Sequence, residues 1–500
     1  MLPTPRADLK PNTADFERLP LVKPTGFREY DARWLFPQEI NLQGLNCIGL
    51  GMATLFDERD VPKRIVVGHD FRWYSASVKQ ALVNGLIMGG FEVHDIGLAL
   101  SPMAYFAQFA LDVPGVAMVT ASHNDNGWTG IKMGMNRPLT FGPDEMTRLK
   151  EIVLSGAWKT HPGAGKYIYV DNFADRYINA LSDRAPLKRK LKVVCACGNG
   201  TAGAFAPQIL AAVGCEVVPL DVELDHSFPR YNPNPEDMKM LHAISEAVLA
   251  SKADVGLGFD GDGDRCGVVD NEGHEIFADK VGVMLARDLS AIHKNAIFVA
   301  DVKSTGLFVT DPVLKAQGAK AVYWKTGHSY MKRYTHEIKA LVGFEKSGHF
   351  FFQPPLGRGY DDGIVAALAV LDMLDRAPDK SMADLKNALP KTWSSPTMSP
   401  HCGDEVKYGI VDKVVADYMA RFETGTTVAG QKIVDVVTVN GIRLMLEDGT
   451  WGLVRASSNK PELVVVVESP ASEANMRAIF ADIDATLAKF PEVGAYNQKI

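Results

Sequence analysis

Cysteine is scarce in these 500 residues: six, at positions 47, 195, 197, 215, 266 and 402. Their one close pair is the C-A-C of 195–197, so neither a C-x-x-C redox motif nor the paired spacing of a structural zinc site is present. A disulfide-built scaffold is excluded with them, and a reducing, cytoplasmic setting is expected. Long apolar runs are missing too. The most apolar helix candidate, GIVAALAVLDML at 363–374, is too short to span a bilayer and is bounded by aspartates. The opening MLPTPRADLKPNTADFERLP has no apolar h-region, which predicts no secretory signal. No basic run and no basic stripe interleaved with aromatics occurs, and the formal charge is −7. Nucleic acid and membrane are therefore not expected partners.

What remains is an ordinary globular composition, 46% hydrophobic and 23% charged. A chain of this length exceeds one core and predicts several domains. Three segments share one grammar of apolar β-branched run, small polar loop and helical pattern. They are RIVVGHDFRWYSASVKQAL from 64, LKVVCACGNGTAGAFAPQIL from 191 and NAIFVADVKSTGLFVTDPVL from 295. Continuous apolar runs suit strands of a sheet covered on both faces, and the loops sit where α/β sheets place ligands. The spacing predicts three related α/β domains in series. The last hundred residues alternate short strand candidates with N-G, D-G and S-N turn signals before a helical pattern, predicting a small α+β domain. Expected boundaries give domains at 1–167, 168–275, 276–390 and 391–500. The stretch PKTWSSPTMSPHCGD (390–404) is a candidate hinge, and the first 25 residues read as an extended arm.

Four loops carry residues suited to chemistry. VTASHNDNGWTGIKMG (119–134) holds Ser122 beside His123, without the G-x-S-x-G frame of a hydrolase nucleophile. By itself Ser122 reads first as a turn or capping residue. VGLGFDGDGDRCGVV (255–269) alternates Asp260, Asp262 and Asp264 with glycine after an apolar run. Three carboxylates that close repel one another and favour a hard cation. An EF-hand is ruled out, because Arg265 stands at the turn-glycine position and Asn271 at the bidentate-glutamate position. That leaves a solvated turn or a Mg²⁺ site, and the strand context with Arg265 favours the metal. GFEKSGHFF (343–351) offers Glu345, Ser347 and His349, donors and acceptors for sugar hydroxyls. LVRASSNKPELVVVVES (453–469) sets Arg455, Ser457, Ser458, Asn459 and Lys460 between two strands, the makings of a phosphate cradle. Two further stretches, GFREYDARW with Tyr30 and Arg33 and TGHSYMKRY with His328 and Lys332, are uninformative alone.

Taken together and in this order, the motifs T-A-S-H-N, D-G-D-G-D-R, G-F-E-K-S-G-H and R-A-S-S-N-K-P resemble the α-D-phosphohexomutase family, most closely its bacterial phosphomannomutase/phosphoglucomutase branch. The resemblance runs from about residue 25 to 469. It implies three similar α/β domains with mixed sheets and a C-terminal α+β domain, heart-shaped around a central cleft. It implies reversible conversion of hexose 1-phosphate to hexose 6-phosphate through a phosphoserine and a 1,6-bisphosphosugar. Ser122 would carry the phosphoryl group and, with Asp260, Asp262 and Asp264, hold Mg²⁺. Catalytic roles would fall to His123, Lys132, Arg265 and Arg33. Glu345, Ser347, His349, His328 and Lys303 would bind the sugar. Arg455, Ser457, Ser458, Asn459 and Tyr30 would bind the non-reacting phosphate.

The same resemblance implies glucose or mannose 1,6-bisphosphate as activator and a cytoplasmic monomer or homodimer. Two departures stand out: the family's phosphate loop more often reads Ser-Asn-Thr where this chain has Ser457-Ser458-Asn459, and Lys346 occupies a variable position in the sugar loop. Alternatives are a phosphoglucosamine mutase, a metal-dependent sugar-phosphate phosphatase and a non-catalytic binding relative.

Overall fold

A computed structural model describes residues 6, 8–458 and 460–500. The chain forms two compact units. One runs to Ala278 and includes Ser347–Ala383; the other comprises Asp279–Lys346 and Asp384–Ile500. The three expected strand–loop–helix segments are all present, with strands Arg64–His69, Lys192–Ala196 and Ile297–Asp301.

The first unit contains two mixed sheets. In one, Ala32–Leu35, Trp128–Gly134, Gly115–Val119, Arg64–His69, Glu92–Leu98 and Lys166–Tyr169 lie in that order. Its last four strands are parallel, and Trp128–Gly134 runs antiparallel to both of its neighbours. The other orders Glu275–Ile276, Cys266–Asp270, Val255–Phe259, Lys192–Ala196 and Glu216–Leu220. Gly115–Val119 and Val255–Phe259 are buried at every position, which is why both read as unbroken apolar runs. Each ends at a candidate loop, at Thr120 and Asp260 respectively. Asp362 caps the helix Gly363–Arg376 by accepting from the Ile364 and Val365 N–H groups. That helix packs on Val255–Phe259 and Cys266–Asp270.

In the second unit, strands Lys320–Trp324, Ile297–Asp301 and Val342–Phe344 run parallel, in that order. An antiparallel sheet follows, ordered Trp393–Ser394, Leu463–Ser469, Trp451–Ala456, Ile442–Leu446 and Ile433–Val437. Side chains alternate across it. Val454, Val465 and Val467 meet Ile410, Val414, Ile479 and Ile483 on one face. Leu453, Val464 and Val466 pack with Val302 and Tyr323 on the other. Burial on both faces accounts for the run V-V-V-V.

Two expectations are corrected. The candidate hinge at 390–404 is hydrogen-bonded along much of its length into the C-terminal sheet. Trp393–Ser394 pairs with Leu463–Ser469, Ser395 N–H donates to Val467, and Met398 exchanges both bonds with Val465. Proline and serine mark a sheet edge here, where a missing N–H is tolerated. Residues 1–5 and 7 of the expected N-terminal arm lie outside the described residues, and its part around 16–19 is tied down: Asn41 donates to the carbonyls of Phe16 (3.0 Å) and Leu19 (2.8 Å), and Phe16 is buried.

Candidate active site

Ser122 follows Gly115–Val119 and adopts a left-handed backbone, φ +50°. For a residue with a Cβ this costs about 1–3 kcal/mol and persists only where the surroundings impose it. They do so here. The buried guanidinium of Arg72 donates to the carbonyls of Ser122 (2.9 Å) and Asn124 (2.7 Å) and pairs with Asp70. Asp70 also accepts from Thr120 Oγ1 (2.8 Å), Ala121 N–H (3.2 Å) and Ser75 Oγ (2.5 Å). Asn232 donates to the His123 carbonyl from outside the loop. The result aims Ser122 Oγ at Asp260 Oδ2, 2.9 Å away.

The aspartate loop reaches the serine because of a glycine. A Cβ on Gly261 would stand 2.4 Å from the Ser122 carbonyl oxygen. Asp260, Asp262 and Asp264 are fully buried, with a ligand oxygen from each within 4.8 Å of the others. Lys132, paired across the sheet with Met118, reaches in from Trp128–Gly134. Its Nζ donates to Asp262 Oδ2 (2.8 Å) and to Asp264.

The electrostatics follow from that packing. Burial favours the neutral amine, but Asp262 and Asp264 hold the Lys132 ammonium well above its ordinary pKa. Burial, reinforced by Asp264 and Asp262, pushes Asp260 well above the carboxylate range. Against burial, Lys132 and then His349 hold Asp264 well below it. One lysine therefore does not satisfy three carboxylates. Asp262 Oδ1 is buried with no hydrogen-bond partner among the described residues. An all-oxygen donor set with an unmet demand for positive charge fits a hard divalent cation.

Around this cluster lie further expected residues. Arg33 donates to Asp31 Oδ2 (3.0 Å) and Asn124 Oδ1 (3.2 Å). His123 Nδ1 is 3.3 Å from Ser122 Oγ; burial, then Arg265 and Arg33, push its pKa well down, so the ring is neutral. Arg265 contacts His349 Nε2 (3.2 Å) and Glu236 Oε2 (3.1 Å). His349 Nε2 lies 3.3 Å from Asp264 Oδ1, and its Nδ1 lies 3.0 Å from Ser347 Oγ. Tyr30 is buried in the turn before Ala32–Leu35.

The sugar-loop motif is divided between the units, with Glu345 and Lys346 in the second and Ser347 and His349 in the first. Within the second unit, buried Glu345 accepts from Gly327 N–H (2.5 Å), next to His328, which opens the helix His328–Glu337. Asp301 gathers neighbouring loops, accepting from Thr326 Oγ1 (2.8 Å), Lys346 N–H (3.1 Å) and Ser304 Oγ. Lys303 is flanked by two carbonyls, Val302 and Ser304, that accept from Arg443 at 2.7 Å. Arg455 is buried at the end of Trp451–Ala456 and donates to the Ala456 carbonyl (2.8 Å). Ser457 Oγ accepts from Lys460 N–H (3.3 Å), closing the turn, while Ser458 is half-buried. Asn459 lies outside the described residues.

Sequence reasoning missed Asp70, Arg72, Thr120, Ser101 and Asp301. Asp70 and Arg72 lie within a quoted segment, but a short Asp/Arg pair in a βα loop does not announce a partner 50 residues away.

Comparison with known proteins finds one family along the chain. The α/β/α domains I, II and III of the phosphoglucomutase/phosphomannomutase family match residues 24–159, 169–273 and 277–393, and its C-terminal domain matches 407–486. The phosphomannomutase/phosphoglucomutase of Pseudomonas syringae pv. tomato is 33% identical over 470 residues, 94% of this chain and 96% of that protein. The phosphoglucomutase of Neisseria meningitidis serogroup A is 31% identical over 449 residues, 90% of this chain and 94% of that protein. A crystal structure of a phosphoglucomutase/phosphomannomutase family protein from Burkholderia thailandensis superposes with a TM-score of 0.84 at 30% identity, covering 95% of this chain and 99% of that one. No helix among the described residues is long and apolar enough to cross a membrane. The chain therefore belongs to the phosphoglucomutase/phosphomannomutase family and is a phosphohexomutase, an isomerase that transfers a phosphoryl group within a hexose phosphate.

Proposed function

We propose that this enzyme interconverts the 1- and 6-phosphates of both glucose and mannose, with Ser122 as the phosphoryl carrier. The observation that carries this reading is the strained, many-fold pinned Ser122 with its Oγ 2.9 Å from an aspartate of a buried three-carboxylate cluster. In the forward half-reaction the Ser122 Oγ–P bond breaks as a bond forms from phosphorus to the sugar's free hydroxyl oxygen. The Lys132 ammonium, already protonated, gives a proton to the departing Ser122 Oγ and takes the sugar hydroxyl's proton in its place, so it ends unchanged and the product is a 1,6-bisphosphosugar. After that intermediate turns end for end, its other phosphoryl group returns to Ser122 and the proton returns to the sugar oxygen. Positioning and charge stabilisation are most of what phosphoryl transfer asks of a protein. Asp260, Asp262 and Asp264 would hold Mg²⁺, which when bound would supply positive charge beside the transferring phosphoryl group. Arg33 and Arg265 add fixed cations, and neutral His123 donates or accepts a hydrogen bond beside Oγ.

Glu345, Ser347, His349, His328 and Lys303 bind the sugar in this reading. Arg455, Ser457, Ser458, Asn459 and Tyr30 take whichever phosphate is not reacting. A trace of glucose or mannose 1,6-bisphosphate primes the serine. The protein works in the cytoplasm as a monomer or homodimer. The test is a ³¹P NMR panel of glucose-, mannose- and glucosamine-1-phosphate with Mg²⁺ and glucose 1,6-bisphosphate. Conversion of the glucose and mannose esters at comparable rates is expected. A glucosamine preference would make it a phosphoglucosamine mutase, free phosphate a phosphatase, and no reaction a binding relative.

A further inference from the structure

We propose that Ser101 is a positioning residue for cation binding, holding one carboxylate oxygen of Asp262 so that the other is presented to the metal. This rests on the reading of Asp260, Asp262 and Asp264 as the cation site. Ser101 opens the helix Ser101–Ala110, 161 residues from Asp262 in the chain, and is fully buried. It grips Asp262 twice: its N–H donates to the Asp262 carbonyl (3.0 Å), and its Oγ donates to Asp262 Oδ2 (2.5 Å). Lys132 Nζ approaches the same Oδ2 at 2.8 Å. Both donors thus saturate one oxygen, while Oδ1 stays buried with no hydrogen-bond partner among the described residues.

Asp260 shows why an outside donor is needed. Its Oδ1 is held by the loop's own backbone, from Asp264 N–H (3.1 Å) and Arg265 N–H (3.3 Å). No backbone N–H of the aspartate loop is bonded to the Asp262 side chain among the described residues. Ser101 takes that role from the serine-bearing domain. With Ser101 removed, the carboxylate is free to rotate toward Lys132, its remaining charged donor, and Oδ1 is no longer held toward a metal. Partners that orient a metal ligand in this way are worth about 10–100-fold in affinity.

The test is Mg²⁺ titration calorimetry on the full-length protein for wild type, Ser101→Ala, Ser101→Thr and Asp262→Asn, with thermal melts in EDTA. The proposal expects Ser101→Ala to weaken Mg²⁺ binding by about 10-fold or more. Ser101→Thr, which keeps the hydroxyl, should restore it, and the melting temperature in EDTA should stay near wild type. Wild-type affinity in Ser101→Ala, with affinity lost in Asp262→Asn, would overturn the role of Ser101 alone. Wild-type affinity in Asp262→Asn would overturn the cation site itself. Should Ser101→Ala not fold, Ser101→Cys, similar in size and a poor donor, takes its place with the same expectation and the same overturning result.

Discussion

At the scale of single residues, Ser122, the proposed phosphoryl carrier, is held in a left-handed backbone with its Oγ against Asp260. Ser122→Ala should cut turnover by orders of magnitude while leaving the unfolding transition nearly intact, because Oγ makes only two contacts, a hydrogen bond to Asp260 and a longer one with the neighbouring His123 ring, among the described residues. Near-normal turnover would contradict its role. Arg72 tests the scaffold separately. Arg72→Lys keeps the charge beside Asp70 but loses the fork that spans the Ser122 and Asn124 carbonyls. Steady-state kinetics should show kcat lowered by about 10–100-fold with KM nearly unchanged, since a small misplacement of the reacting group is costly. A rise in KM alone would mean Arg72 binds substrate. The aspartate loop drew attention in the sequence because Asp alternates with Gly after an apolar run, whereas Ser122 alone read as a turn residue and stood out only through the order of the four motifs. Arg72, Asp70 and Ser101 were not legible, because each is a common residue whose importance lies in a contact across 50 or 161 residues.

Elements bring these residues together through close backbone approach and capping. Gly261→Ala would place a methyl 2.4 Å from the Ser122 carbonyl, against backbone that cannot yield without moving Ser122. Urea unfolding should register a loss of about 1–3 kcal/mol together with reduced kcat; an unaffected enzyme would show the two loops are looser than described. The cap of Gly363–Arg376 carries a pH signature. Burial, only partly offset by hydrogen bonds from Val365, Tyr177 and Ile364, pushes Asp362 up to about 7. Below pH ~4 the carboxyl is protonated folded or unfolded, and its neutral form is accommodated. As pH rises from there towards 7 the unfolded chain loses that proton while the folded one retains it, so stability falls. Asp362→Asn preserves the cap acceptor and removes the titration. Its melting temperature should vary less than wild type between pH 4 and 7 and exceed wild type at pH 8. An unchanged pH profile would place the titration elsewhere. The strands were legible as apolar runs, whereas the stretch 390–404 was misread because proline and serine mark sheet edges as well as linkers.

Across the whole molecule, the second unit is fastened internally by two buried charges of its C-terminal sheet. The Arg443 guanidinium lies 3.8 Å from the ring centre of Tyr323 and 3.5 Å from that of Trp451 while holding the carbonyls either side of Lys303. Glu468 accepts from Thr305, Gly306 and Trp451 on one oxygen and from Lys280, Thr392 and Ser394 on the other. Burial opposes its charge, but Lys280 and these donors hold its carboxyl well below the ordinary range. That contribution is complete above the unfolded pKa of about 4.3 and is lost as pH falls. Glu468→Gln should therefore cost about 3 kcal/mol in urea unfolding at pH 7 and less at pH 3. An equal loss at both pH values would assign the effect to packing. Such fastening was invisible beforehand, since four consecutive domains were readable from motif order but the side chains that join two of them sit in unremarkable strands. The central claim is that Ser122 carries the phosphoryl group, and its most direct test is phosphopeptide mapping by mass spectrometry. The enzyme is incubated with glucose 1,6-bisphosphate and Mg²⁺, digested, and compared with a sample then chased with excess glucose 1-phosphate. The account predicts one phosphoryl group on Ser122 that the chase removes; a phosphoryl group on another residue, or none on Ser122 while turnover proceeds, would contradict it.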